Sequence, residues 1–180
     1  MTTIINGSSP SITFSDSTTQ TTAFTTGAVT QSTIATGVAG TGPAFSAYQS
    51  SAQTITASSF TKLTLNAKNF DTANAFDSTT NYRFQPQVAG YYQINGACQS
   101  GTVITASQVI LLAYKNGTNY ATLSSSVSVS GYPCPAGSSV VYLNGSTDYL
   151  EFYFYQNSAG SITTVNASSL ACSGSLIRSA

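Results

Sequence analysis

Between Tyr82 and Gln99 the chain reads YRFQPQVAGYYQINGACQ, and its second half alternates by twos. After Gly90, residues Tyr92, Ile94, Gly96 and Cys98 fall on one face of an extended strand. Tyr91, Gln93, Asn95 and Ala97 fall on the other. Period two over this length predicts a half-buried β-strand, and a strand with one apolar face needs a second layer to cover it. Before the bend, Tyr82, Phe84 and Pro86 share one parity. Pro86 has no N–H to give a ladder, so it marks a strand end or an edge. Ala89-Gly90 reads as the bend itself, because glycine tolerates positive φ.

The same alphabet recurs along the chain. Leu150, Phe152 and Phe154 form one face of a strand, and Tyr149, Glu151, Tyr153 and Tyr155 the other. Val109 to Tyr114 is a nearly continuous apolar run, as expected of a strand covered on both sides. Asn116-Gly117 is a strong two-residue hairpin signal, with Thr118 to Leu123 as the return strand. Ala44 to Tyr48, Phe60 to Leu65, Val140 to Leu143 and Leu170 to Ile177 read as further short strands. Asn69-Phe70-Asp71, Asp77-Ser78 and Asn144-Gly145 read as turns. Two prolines and a glycine make Tyr132 to Gly137 a loop. No segment carries a helical period. Short strands at this spacing predict an all-β sandwich or jelly roll.

Only 6% of the 180 residues are charged, and five basic residues balance five acidic ones. An average domain carries roughly 25%. A neutral chain offers no electrostatic footprint for nucleic acid or an anionic membrane. Low charge with 41% hydrophobic residues, 11 Tyr and 9 Phe indicates a packed core rather than disorder. Histidine is absent, which removes Ser-His-Asp and Cys-His sites. Asp148 and Glu151 lie three apart on a predicted strand, so they point to opposite faces and make a poor glycosidase pair. No phosphate-binding glycine pattern occurs. We therefore expect no enzymatic activity and no cofactor. Asp71, Asp77 and Asp148 are candidate calcium ligands, but turn capping explains each, and we expect no metal. Cys98, Cys134 and Cys172 are odd in number and match no zinc spacing; Cys98 reads as a small core residue. Met1 to Ser11 lacks a signal peptide's basic and apolar regions, and no run of about 20 apolar residues could span a membrane. Synthesis in a cytosol is the simplest expectation, and the N-x-S/T sequons at Asn6, Asn116, Asn144 and Asn166 read as chance.

Phe84, Pro86, Ala89, Gly90, Tyr92 and Ile94 spell F-x-P-x-x-A-G-x-Y-x-I. This resembles the core signature of the complement C-one-q globular-head family, whose jelly roll is related to tumour necrosis factor. Pro43 to Ala47 resembles that family's opening strand, and Leu112 to Gly117 its hairpin. Leu143 through Asp148 to Phe152, and Ser173 to Ile177, resemble its later segments. The resemblance covers residues 43–180 and implies a jelly roll of about ten antiparallel strands, assembled as a threefold trimer about one sheet. It places Tyr91, Gln93, Asn95, Val140, Tyr142, Cys172 and Leu176 at the trimer interface. Ser175 departs from the family pattern, standing where an aromatic is usual.

Residues 1–42 are rich in Thr, Ser, Gly and Ala and cannot bury enough to fold alone as a monomer. They read as a disordered tail or as an interchain-stabilised anchor, with Thr25 to Gly42 as a connector. Ile12 to Ala23, ITFSDSTTQTTA, resembles a recurrent segment of bacteriophage fibre and other virion-associated proteins. That resemblance implies a virion fibre or decoration protein made in the host cytoplasm. It would join other virion proteins through residues 1–42 and attach non-covalently to a host glycan or protein. The alternatives are a purely structural decoration protein and a bacterial surface recognition module. Tyr149, Tyr153 and Tyr155 are either a stabilising ladder on the outer sheet or a receptor-binding platform.

Overall fold

A computed structural model describes residues 12–13, 19–20, 42–168 and 170–180. The chain divides into two units, Met1–Thr36 and Gly37–Ala180. In the first, β1 (Ile12–Thr13) pairs antiparallel with β2 (Thr19–Gln20). The rest of the expected anchor lies outside the described residues.

The second unit holds thirteen strands and, among the described residues, no helix. They are β3 (Ala44–Tyr48), β4 (Thr54–Ile55), β5 (Thr61–Lys62), β6 (Ala67–Asp71), β7 (Phe76–Asp77), β8 (Arg83–Phe84) and β9 (Ala89–Ala97). There follow β10 (Ile104–Lys115), β11 (Thr118–Gly131), β12 (Ala136–Asn144), β13 (Leu150–Gln156), β14 (Ile162–Thr163) and β15 (Ala171–Ser179). One sheet runs β12-β9-β15-β3-β6. The other runs β11-β10-β13-β8-β7, with β5 also on β13, and β14-β4 forms a small flanking pair. Every pairing is antiparallel. Two facing five-strand paths with these crossovers make a jelly roll.

Alternation decides what fills the space between the sheets. Tyr92 and Ile94 of β9 point inward, as do Val141 and Leu143 of β12 and Phe45 and Ala47 of β3. Leu150, Phe152 and Phe154 meet them from β13, with Val109, Leu111 and Ala113 from β10. An aromatic cluster ties the layers together at one end. The Phe45 ring stacks 4.4 Å from Phe84 and 4.9 Å from Phe76, and Phe84 meets Tyr92 edge-on at 5.5 Å. The Tyr92 hydroxyl donates to the Val88 carbonyl at 2.7 Å, so this buried phenol leaves no polar atom stranded. No buried side-chain nitrogen or oxygen lacks a partner among the described residues.

Three sequence expectations are corrected. Asn69-Phe70-Asp71 is not a turn but the end of β6, with Phe70 paired to Ser46 and Asp71 to Phe45. Ala89-Gly90 is already strand, opposite Asn144 and Leu143. The return strand after the hairpin continues past Leu123 to Gly131, because backbone pairing to β10 holds a serine-rich stretch that has little apolar pattern.

Ladder direction defines two ends. The base is where the chain enters at Pro43, whose carbonyl accepts from the Leu176 N–H. Ala180, Ala89, Asn144, Tyr149 and Asn116 gather there. The tip carries the opposite strand ends, marked by the pairs Tyr48 to Ala171, Ala97 to Ala136, Ile104 to Gly131 and Val109 to Gln156.

Candidate functional site: an exposed sheet face and its base clasp

The outward face of the β12-β9-β15-β3 sheet is laid out by register. Tyr142 lies opposite Tyr91, and Val140 opposite Gln93, which in turn faces Ser175. Ser138, Asn95 and Ser173 form the next row towards the tip. Tyr91, Val140, Tyr142 and Ile177 are each about two-fifths exposed, at 44, 41, 39 and 44%. The Tyr91 and Tyr142 rings lie 5.4 Å apart. Solvent therefore meets a largely apolar base half, with the exposed Arg178 paired beside Tyr91, and a Ser/Asn/Gln tip half.

The structure brings five of the seven predicted interface residues to this face: Tyr91, Gln93, Asn95, Val140 and Tyr142. Cys172 and Leu176 are a correction. Cys172 is 0% exposed and Leu176 4%, and both point into the core. The pairing of Gly174 with Ile94 and of Leu176 with Tyr92 sets the parity, so Ser173, Ser175 and Ile177 face outward instead. The inward Cys172 sulfur lies beside Gly96, where an added Cβ would meet it at an ordinary 3.5 Å but would crowd Leu111 and Leu123 at 3.0 and 3.2 Å. A register shift between Leu176 and Arg178 then breaks strict alternation at the strand's end.

Tyr142 is held by a polar clasp at the base. Lys115 Nζ donates to the Tyr142 carbonyl at 2.8 Å, pairs with Asp148 Oδ2 at 2.8 Å, and lies 5.5 Å from the Tyr142 ring. Asp148 also accepts from Asn116 Nδ2 at 2.7 Å and from the Asn144 N–H at 3.1 Å. The Asn144 side chain accepts from the N–H groups of Ser146, Thr147 and Asp148. The sequence expectation of Asn116-Gly117 and Asn144-Gly145 as turns is met here, with Asn116, Gly117 and Gly145 all at positive φ. The clasp locks both turns to the edge of the exposed face.

The three candidate calcium ligands do not converge. Asp71 accepts from the Ala75 and Phe76 N–H groups and pairs with Lys68 at 3.1 Å. Asp77 accepts from the N–H groups of Thr79, Thr80 and Asn81. Among the described residues no group of three or more His, Cys, Asp or Glu side chains is placed to hold a metal ion. The tyrosine ladder is half-buried, and each ring packs on a neighbour of its own molecule. Tyr153 stacks on Tyr114 at 3.9 Å, Tyr155 tilts against Phe60 at 4.7 Å, and the Arg83 guanidinium sits 4.3 Å over Tyr149. Cys98 and Cys172 are buried free thiols and Cys134 is an exposed one.

These groups set a pH profile. The Lys115 and Asn116 side chains hold the Asp148 carboxyl below its usual range. Backbone N–H groups of Thr80 and Thr79 do the same for Asp77. Burial raises Asp71, but the Phe76 and Ala75 N–H groups and Lys68 outweigh it and leave it lowered. A depressed carboxyl stabilises the fold above its unfolded value of about 3.9, and that contribution is lost as pH falls through the folded value. Burial pushes the Cys172 thiol up to about 12 and raises Cys98 well above its ordinary range. Those groups stabilise below the unfolded thiol value of about 8.5 and lose that effect as pH climbs. With no histidine in the chain, the melting temperature should be flat between about pH 5 and pH 8 and fall on both sides. Calorimetry across that range checks it; a step near pH 6.5, where histidine would titrate, would contradict it.

Solved structures of the same fold include the globular domain of zebrafish complement 1qA protein, 19% identical with a TM-score of 0.51, covering 77% of this chain and 99% of that one. The Eiger tumour necrosis factor from S. frugiperda is 11% identical with a TM-score of 0.56, over 77% and 95%. PRD1 vertex protein P5 is 15% identical with a TM-score of 0.50, over 76% and 97%. The fold is thus the complement C-one-q and tumour-necrosis-factor type of jelly roll. No family model matches the chain, and no curated protein matches it.

Proposed function

We propose that the chain is the trimeric attachment head of a virion, binding a host surface without covalent chemistry. The exposed face carries this reading. Tyr91, Val140, Tyr142 and Ile177 form a largely apolar surface with Arg178 at its margin, and such a surface is stabilised when another copy covers it. Threefold closure lets each copy give the same face to its neighbours. The likeness to a protein named for a virion vertex supports the setting, as does the segment Ile12 to Ala23. Residues 1–42 would serve as the anchor to other virion proteins, and the tip, remote from Pro43, would meet the host. Weak single sites gain avidity when three are presented together.

Purified chain added to susceptible bacteria should reduce adsorption of the phage that carries it. A trimeric preparation that leaves adsorption unchanged would favour the structural decoration role instead.

A further inference from the structure

The ten charged residues are unevenly placed. None occurs between Arg83 and Lys115, between Lys115 and Asp148, or between Glu151 and Arg178. Lys115, Asp148 and Arg178 sit at the base. Lys62, Lys68, Asp71, Asp77 and Arg83 lie on β5 to β8, with Glu151 of β13 paired to Lys62. Asp16 lies outside the described residues. The four connections at the tip, residues 49–60, 98–103, 131–135 and 157–170, carry no charged side chain.

A groove of about 450 Å³ opens at this tip between the last half of β11 and the segment that crosses to β12. Its origin is local. At Gly137 the β12 backbone is pressed onto the Leu123 carbonyl, and a Cβ there would overlap that oxygen. Beyond this pinch the two chains part. Ser124, Ser126, Ser128 and Ser130 line one wall, and Tyr132 stands at the other, 58% exposed. Val127 is exposed beside them. The second wall is braced. The Pro133 carbonyl accepts from the Ser100 N–H at 2.9 Å and the Pro135 carbonyl from the Cys98 N–H at 3.2 Å. β11 is the last strand of its sheet, so its outer edge offers backbone N–H and C=O groups with no strand beside them among the described residues.

We propose that this tip groove binds a neutral polyhydroxylated ligand, an uncharged stretch of cell-surface polysaccharide; this rests on the attachment reading above. A sugar ring has an apolar C–H face and a rim of hydroxyls. Tyr132 and Val127 suit the first, and serine hydroxyls with edge backbone groups suit the second. An acidic polymer would find no cation among the residues lining the groove to offset its desolvation. A peptide adding to the β11 edge would need pockets for its alternate side chains, and a serine-lined wall provides none. The braced proline wall keeps the ordering cost of binding low.

Cys134 lies in the groove and is exposed, whereas Cys98 and Cys172 are buried, so its alkylation by a bulky maleimide reports occupancy. The full chain would be titrated with neutral glucan, mannan, galactan and chitin oligosaccharides, and with polygalacturonate and dextran sulfate. At least one neutral saccharide should slow Cys134 alkylation, with affinity unchanged within about twofold from low to high salt. Tyr132→Ala should weaken that binding about tenfold while leaving native mass and melting temperature unchanged. Binding only to the anionic polymers would overturn the proposal. So would a Cys134 already protected without saccharide, which would mean that a second copy covers the groove. If the wild-type chain blocks adsorption and Tyr132→Ala blocks equally well, the groove assignment falls and the attachment reading stands. If the wild-type chain neither blocks adsorption nor binds any saccharide, both fall.

Discussion

In the trimer proposed above, Tyr142→Lys is expected to convert the assembly to monomers, with the native mass falling from three times 18.6 kDa to a single 18.6 kDa chain in sedimentation equilibrium. Tyr142 sits opposite Tyr91 on the exposed face, with Lys115 already 5.5 Å from its ring. A lysine there brings a second ammonium beside the first, and threefold symmetry repeats the insult three times. Asp148 is already committed to Lys115, Asn116 and the Asn144 backbone, so no carboxylate is spare to pair with the newcomer. Leaving one uncompensated charge in an interface typically costs about 3–5 kcal/mol, enough to shift a micromolar trimer by more than a hundredfold. Tyr142→Phe should keep the trimer, because it preserves the apolar area and the backbone carbonyl that Lys115 uses. An unchanged mass for Tyr142→Lys would show that this face is not where the copies meet.

The parts of this surface that were legible in the sequence are those where alternation is uninterrupted. β9 has clean parity, so spacing puts Tyr91, Gln93 and Asn95 on one face; the family resemblance turned that face outward together with Val140 and Tyr142, and the structure puts all five there. β15 defeats the same reasoning. Its sequence, ACSGSLIRS, alternates small residues with few large ones, so parity has little to fix it, and Cys172 and Leu176 look as eligible for the surface as for the core. What settles the matter is a tertiary fact, the pairing of Gly174 with Ile94 and of Leu176 with Tyr92. β6 was hidden for a different reason. Asn69 and Asp71 favour turns through their side-chain hydrogen bonds, and here Asp71 does cap the turn at Ala75 and Phe76 while remaining in the strand. The tip groove had no sequence signal at all. SSSVSVS, residues 124–130, carries too little apolar pattern to announce a strand, and the close approach of Gly137 to the Leu123 carbonyl beside the groove is a tertiary contact.

Phe84→Ala should be the most damaging single truncation in the fold. Phe84 is fully buried and belongs to the β8 side of the sandwich, while Phe45 and Tyr92 reach it from β3 and β9 in the other sheet. Its ring contacts both, at 4.4 and 5.5 Å, so removing it leaves a void at the seam between layers rather than at a margin that could collapse. Truncating a core phenylalanine costs about 3–5 kcal/mol through lost transfer energy and the residual cavity. Set against a total of about 5–15 kcal/mol, that is a large fraction of the stability. For a chain of this size it corresponds to a fall in melting temperature on the order of 10 °C. Phe60→Ala is the matched control: the same atoms are removed from a ring that is half exposed and leans on Tyr155, and the loss should stay near 1 kcal/mol. Because the proposed assembly would add concentration-dependent stability, both variants should be compared with wild type at one chain concentration and again in the Tyr142→Lys background. A Phe84→Ala loss no larger than that of Phe60→Ala in both settings would mean that the aromatic seam does not hold the two sheets together.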